Sequence, residues 1–399
     1  MAAERDPGFD FALGPLESEI MEIVWALGDW VTVSDIVEER ERRGTSSVYS
    51  TVKAVTQNLH DKGHLKKRPH GKQNAFTPVL ESRTIRLRDF KGVRDVRIAL
   101  PTSDIGAAVS GAEFILAPMP AFAQHDLAVA LAPHLTDGQV IYLPPGTFGS
   151  YVMMKVLRDH GCRADIAIAE TGTLPWLTRK RGPAEVAITT RATRLPTGVF
   201  PARHSARALK VISAAFPGAI EPVEDALSAA LMNAGPIIHP PLIVMNAGPI
   251  EHFPRWDIHK EGTQPAIRRV HDALDNERIR LREALGYKPP HFPLADHYNT
   301  SNWMYGKLAH DKLVDSGDWH EKLDFKSHRY LREDIGMGLA LIVSLADWAG
   351  VKAPVAAGLL AIGGAASGND FRKDGRTMET LGLASETREA LMRLLHEGI

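Results

Sequence analysis

Three stretches of the chain set residues capable of acid–base or anion-binding chemistry on constrained backbone. The first is Met232-Asn233-Ala234-Gly235-Pro236-Ile237-Ile238-His239-Pro240-Pro241, in which a histidine stands beside two prolines whose fixed φ holds the backbone that carries it. Imidazole titrates near neutrality and suits proton transfer. A histidine so placed is also commonly a buried, hydrogen-bonded core residue, and spacing alone leaves both readings open. Met245 to Ile250 half-repeats Met232 to Ile237, which reads as two similar turns. The second stretch, His328 to Leu339, carries Arg329, whose planar fork suits a carboxylate, and Asp334. Five residues apart, these two do not share a helix face by the i,i+4 rule, and surface ion pairing is the plain alternative. The third, Asp370 to Thr377, reads as a polar turn with a structural or lid role.

A different chemistry is signalled near the N-terminus. Residues 1–41 are mostly acidic, whereas Lys53, Lys62, Lys66, Lys67, Arg68 and Lys72 face only Asp61 between positions 53 and 72. Such a segment could meet phosphates or could be a solvated surface. The whole chain has a net charge of -1, so any nucleic-acid surface must come from local charge separation. The single cysteine, Cys162, excludes an internal disulfide and a cysteine-based zinc site, and no metal site is expected.

The elements that position these groups fall into three parts. With 399 residues, 44% apolar and 24% charged, the chain has room for two or three domains. Apolar residues at Leu13, Leu16, Ile20, Ile23, Val24 and Leu27 predict a helix stopped by Gly28. Thr32 can cap a second helix carrying Ile36 and Val37 inward, and Ser46 or Ser47 a third carrying Val48, Val52, Val55 and Leu59. Leu65 to Phe76 then reads as two strands around Gly71. Three helices and a hairpin predict a winged helix-turn-helix over residues 1–80. Tyr49, Ser50, Thr51 and Lys53 lie at the end of its third helix that enters a major groove, and Lys66, Lys67, Arg68 and Lys72 lie on the wing.

From Val96 the pattern becomes α/β, with strands expected at 96–100, 114–120, 139–143 and 165–170 and helices between them. Ligands on parallel sheets sit at strand C-termini, which here are Met119 to Ala121, Pro144 to Gly146, and Glu170 with Thr171. No G-x-G-x-x-G follows a strand, and Pro145 to Gly149 reads as an ordinary loop. The first β-α-β unit of a dinucleotide fold is missing. Residues 81–197 thus predict an incomplete Rossmann-like domain, and residues 198–399 a mainly α-helical one. No apolar run is long enough to span a bilayer and the first eleven residues are polar, so a cytoplasmic protein without membrane contact is expected.

Two resemblances follow from these motifs. Leu13 to Trp25, Val48 to Val52 and Lys62 to Leu65 resemble the penicillinase-repressor (BlaI/MecI-type) family over residues 12–79. This implies a dimeric repressor that reads a palindrome in double-stranded DNA. Such repressors carry a helical dimerisation segment after the wing, and here another protein begins, so a homodimer must be built elsewhere.

From about residue 85 to the end, the chain resembles the NAD(P)-dependent octopine/nopaline (opine) dehydrogenases. The motifs are Pro120-Ala121-Phe122-Ala123 with His125, Asp137 to Val140, Ala169-Glu170-Thr171, Asn233…His239-Pro240, Glu261 to Pro265, Arg329-Tyr330…Glu333-Asp334, and Phe371-Arg372…Gly375-Arg376-Thr377. That family condenses an amino acid with a 2-oxo acid and reduces the imine with NADH or NADPH. The resemblance implies His239 as proton donor, Asp334 holding its tautomer, and Arg329 with Asn233 on substrate. It implies Pro120, Ala121, Pro144, Gly146 and Thr171 at the cofactor. The alternative is a transcriptional repressor whose C-terminal part is a catalytically impaired metabolite-sensing or dimerisation module.

Overall fold

The computed structural model describes residues 15–27, 30–45, 48–71, 73–78, 84–102, 104–182, 184–297 and 323–399. They form two compact units: residues 1–104 with 178–189, and residues 105–177 with 190–399. Neither unit ends at residue 80.

The first unit opens with α1 (Pro15–Leu27), β1 (Val31–Thr32), α2 (Val33–Arg42) and α3 (Tyr49–Asp61), then the hairpin β2 (Leu65–His70) and β3 (Gln73–Pro78). Helix α2 starts where Thr32 stands because the two ends of a capping box meet there. The Thr32 hydroxyl accepts from the Asp35 N–H, and the Asp35 carboxylate accepts from the Thr32 N–H at 2.7 Å. The α3 N-cap is Val48, without a side-chain cap, while Gly28, Ser46 and Ser47 lie outside the described residues. Ile20, Ile23, Val24, Ile36, Val52 and Leu59 fill the core between the helices. Strand β3 lies between β1 and β2, antiparallel to both, and Gly71 turns the hairpin at a φ of +60°. β1 is a strand that periodicity did not signal, since two residues cannot show a period.

The strand expected at Val96–Leu100 is instead β5 (Gly92–Arg97), which pairs antiparallel with β4 (Thr84–Asp89) around a turn at Gly92, whose φ is +98°. It joins no parallel sheet of the second unit. β4 pairs on its other side, in parallel, with a later strand through Glu185, Val186 and Ala187.

The second unit begins with α4 (Ile105–Val109), β6 (Phe114–Leu116), α5 (Gln124–Leu131), β7 (Val140–Leu143), α6 (Gly149–Asp159) and β8 (Ala167–Thr171). Strands β9 (Trp176–Gly182) and β10 (Glu185–Arg191) carry the chain through the first unit. It returns as β11 (Leu195–Phe200), α7 (Ser205–Ala215) and β12 (Ile220–Pro222). The sheet order is β12-β11-β8-β7-β6. β6, β7 and β8 are parallel, as the alternation predicts, but β11 runs antiparallel to β8, so the sheet is mixed, and it extends past residue 197. β7 and β8 are buried along their whole length, which is why β7 reads as an unbroken apolar run and β8 as one up to Ala169. β6 is the edge, where a complete dinucleotide fold would continue.

The remainder is helical: α8 (Ala226–Ala230), α9 (Gly235–Met245), α10 (Ala247–His252), α11 (Pro265–Ala284) and α12 (Leu294–His297), then a π-helix (Tyr330–Leu339) running into α13 (Ala340–Trp348), α14 (Pro354–Ser367), α15 (Phe371–Asp374), α16 (Met378–Leu381) and α17 (Arg388–Glu397). The two copies of Asn-Ala-Gly-Pro are not matching turns. Each opens a helix, α9 and α10, with proline in the first turn, where its missing N–H costs nothing. One stretch, Ala226–Met245, has the length and apolar composition of a membrane span, contrary to the expectation that none exists, and 78% of its apolar window is buried inside the fold.

Candidate active site

His239 lies in α9, which packs against the π-helix carrying Asp334. The imidazole Nδ1 is 2.8 Å from Asp334 Oδ2. The approach depends on Gly235, because a Cβ there would run into the Asp334 carboxylate. With Nδ1 committed to Asp334, Nε2 is the nitrogen left for proton transfer. It makes no hydrogen bond among the described residues, and the side chain keeps 19% of its exposure.

The π-helix changes the reading that Arg329 and Asp334, five residues apart, do not share a helix face. Its hydrogen bonds close five residues apart rather than four, so positions i+4 and i+5 both return near the face of residue i. Arg329 Nη2 lies 3.5 Å from Glu333 Oε2, and Asp334 turns to His239. The string is therefore not a row of surface ion pairs. Glu333 and Asp334 are buried, while Arg329 is half-exposed and Arg332 is exposed, over the Phe122 ring.

Burial sets the electrostatics. It pushes the Asp334 carboxyl up to about 7, against the Arg329 charge, which lowers it. It holds the His239 imidazole well below its usual range, and Arg329 adds to that. Both shifts oppose separated charges, so at neutral pH the pair favours a neutral imidazole beside Asp334. Glu333 is raised to about 7 by burial and then by its neighbour Asp334.

The strand-end loops are tied down by the protein itself. Arg376, fully enclosed, donates to the carbonyls of Thr147 (2.6 Å) and Ala121 (3.3 Å) and to Gln124 Oε1 (3.0 Å). Glu333 Oε1 accepts the Ala121 N–H at 3.0 Å, and Gln124 Nε2 donates to the Gly146 carbonyl at 2.9 Å. Asn233 joins the network by donating to Thr147 Oγ1 at 2.9 Å and accepting from the Gly235 N–H at 3.0 Å. Thr171 is fully buried at the end of β8. Pro144 enters the loop through a cis bond to Pro145. Asp370 to Thr377 is thus a clamp, since its Arg376 fixes two loops at once.

These contacts test the fit of a dinucleotide. The N–H groups of Phe148 and Ser150, at the N-terminus of α6, would suit an anion. The Glu170 carboxylate already accepts both, at 2.9 and 3.0 Å, and Gly146 packs so tightly on it that a Cβ would collide. Pro120, Ala121, Pro144, Gly146 and Thr171 lie at the strand ends, all of them buried but Pro120, and no glycine-rich turn stands ready for a pyrophosphate among the described residues. Sequence reasoning named Glu170 at a strand end without giving it a role, and missed Gln124. The signal available was an acid inside an otherwise apolar strand.

In the first unit, Tyr49, Ser50, Thr51 and Lys53 are exposed at the start of α3, and Lys66, Lys67 and Arg68 are exposed on β2. Arg68 lies 4.3 Å over the Trp30 ring, and Lys67 donates to Gln57 Oε1. Lys62 does not belong to this surface, because it pairs with Glu17 of α1 at 3.1 Å. Lys72 lies outside the described residues.

Comparisons with known proteins divide the chain the same way. Residues 222–367 match the model of the NAD/NADP octopine/nopaline dehydrogenase alpha-helical domain, and residues 13–97 match that of the penicillinase repressor. An opine dehydrogenase from Arthrobacter sp. (strain 1C) is 28% identical over 293 residues, covering 72% of this chain and 80% of the relative. A vitopine synthase from Allorhizobium ampelinum is 26% identical over 324 residues, covering 78% and 80%. A solved octopine dehydrogenase in complex with NADH and agmatine shares the fold with a TM-score of 0.61 at 20% identity, covering 78% of this chain and 87% of that one.

Proposed function

We propose that this chain, which joins a penicillinase-repressor domain to an opine-dehydrogenase-like part, carries an oxidoreductase site that makes a secondary amine from an amino acid and a 2-oxo acid. The observation that carries the reading is the His239–Asp334 hydrogen bond with Arg329 on the same helical turn. Asp334 accepts from Nδ1–H, fixes the tautomer, and stabilises the imidazolium when Nε2 is also protonated. Nε2–H then gives its proton to the carbinolamine oxygen, which leaves as water. Half-exposed Arg329 binds a substrate carboxylate through its fork. Asn233 and Thr147, bonded to each other, set the floor beside the substrate. A nicotinamide cofactor at Pro120, Ala121, Pro144, Gly146 and Thr171 would supply hydride.

The test is reductive condensation of 2-oxo acids with a panel of amino acids, using NADH and NADPH in excess. Secondary amine formed by the wild type and lost in His239→Ala supports the reading, and no product with either cofactor at millimolar concentration overturns it.

The exposed basic hairpin and the start of α3 support double-stranded DNA as the partner of the first unit, bound by a homodimer. The Glu170 contacts give weight to a second reading. With the α6 amides already capped, the second unit could bind its metabolites without efficient turnover and serve as the sensing part of a repressor. Operator binding that responds to a 2-oxo acid or amino acid without turnover would favour that reading.

A further inference from the structure

His239 has a second close neighbour beside Asp334. The Tyr330 ring lies flat on the imidazole, with centroids 3.6 Å apart and planes 7° from parallel. Tyr330 is itself held from two sides. Its hydroxyl is 3.1 Å from His259 Nε2, and its ring meets His328 edge-on at 4.4 Å. His259 is in turn anchored by its backbone N–H, which donates to Asp257 Oδ1 at 2.9 Å, and its ring stands edge-on to His239 at 6.3 Å. Neither His259 nor Tyr330 enters the chemistry proposed above.

We propose that Tyr330 is a positioning residue for His239, and that His259 holds Tyr330 in place. The claim rests on reading His239 as the proton donor. Asp334 constrains the ring only at one edge, through a single hydrogen bond about which an imidazole can still tilt. The phenol face removes that freedom and keeps Nε2 aimed in one direction. It also acts on the charge. An imidazolium over the electron-rich face of a phenol is stabilised relative to the neutral ring, which partly offsets the burial that disfavours it. The other charged or titratable groups facing His239 are Asp334 on the π-helix and Arg329 at its N-cap, His271 on α11, and His328 and His259 from the loops. Of these only Asp334 favours the imidazolium, so the phenol face adds to a short list.

The test is NMR of the full chain labelled with 15N-imidazole histidine, the His239 signal being assigned by its loss in His239→Gln. Tyr330→Leu removes the ring. The expected result is a titration midpoint for His239 lower by about half a unit or more, the effect of losing a weak cation–π contact, with Tyr330→Phe restoring most of it. His259→Leu keeps the stack but frees the hydroxyl, and should give a smaller shift in the same direction. Where turnover is measurable, the high-pH limb of kcat/KM should move by the same amount as the NMR midpoint. Should Tyr330→Leu fail to fold, His259→Leu and Tyr330→Phe still decide. A His239 titration and tautomer unchanged in every folded variant overturns the proposal. The spectra need no turnover, so an inactive wild type would remove the enzymatic reading without deciding this one.

Discussion

At the scale of single residues, the site turns on carboxylates that burial keeps away from their ordinary pKa. Asp334→Asn preserves shape but removes the charge that fixes the His239 tautomer and supports its imidazolium. Rates of amine formation should fall by about 100- to 10,000-fold, the usual share of a general acid, with the fold intact by circular dichroism. The wild-type pH profile follows from the same group. On the proposed mechanism the donor is the protonated imidazole, and burial places its ionisation below the ordinary histidine range, so the rate of the reductive direction should decline as pH rises already below that range. Glu170 gives a stability counterpart. Burial raises its pKa from 4.5 to about 7, so the folded state binds a proton that the unfolded chain releases. The sign is therefore that stability is fully present below about 4.5 and is lost as pH rises through about 7. Glu170→Gln should flatten the dependence of the melting temperature over that window. A wild-type melting temperature that rises from pH 5 to pH 8, with Glu170→Gln unchanged, would contradict this.

At the scale of elements, what positions His239 is the close packing of α9 on the π-helix. Gly338 faces Pro236 at the start of α9, and a Cβ there would collide with the proline ring, which cannot move aside without moving the helix. Gly338→Ala should cost about 1–3 kcal/mol of stability, as overpacked cores do, and should depress turnover beyond the stability loss because the displaced helix carries His239. Retained activity at full stability in a thermal melt would show that the packing is looser than described. Elements of this kind mark the limit of what the sequence discloses. The α1–α3 helices, the wing around Gly71, the three parallel strands and the Thr32 cap were legible because each has a local signature. His239, Arg329 and Asp334 were legible as residue types in a family pattern. The geometry joining them was not, since a π-helix has no simple periodicity and a five-residue spacing argues against proximity on an α-helix. Nor was the pairing of β4 with β10, nearly a hundred positions away, which no local pattern records. Tyr330 and His259 were invisible as a pair for the same reason.

At the scale of the whole molecule, the two proposed functions should be separable, because the residues proposed for them lie in different compact units. Lys66, Lys67 and Arg68 changed together to alanine should weaken DNA binding and reduce the slope of log affinity against log salt by up to about 3, roughly 0.9 for each lost phosphate contact. Reductase activity should be unaffected, and His239→Ala should do the reverse. Cofactor affinity is where the architecture makes its strongest demand. The β6 edge ends the sheet where a glycine turn would be expected, and Glu170 occupies the α6 amides that could have replaced it. Each absent charge-assisted hydrogen bond is worth about 1.5–3 kcal/mol, so losing two weakens binding by roughly two to four orders of magnitude. Calorimetric titration with NADH and NADPH should therefore give dissociation constants far weaker than micromolar. Little difference between the two is expected, because the residues that tell them apart in a dinucleotide fold belong to the first β-α-β unit, which has no counterpart among the described residues. Micromolar binding of one cofactor alone would mean that another part of the chain supplies the phosphate site, and the account of Glu170 as an occupied anion cap would fail with it.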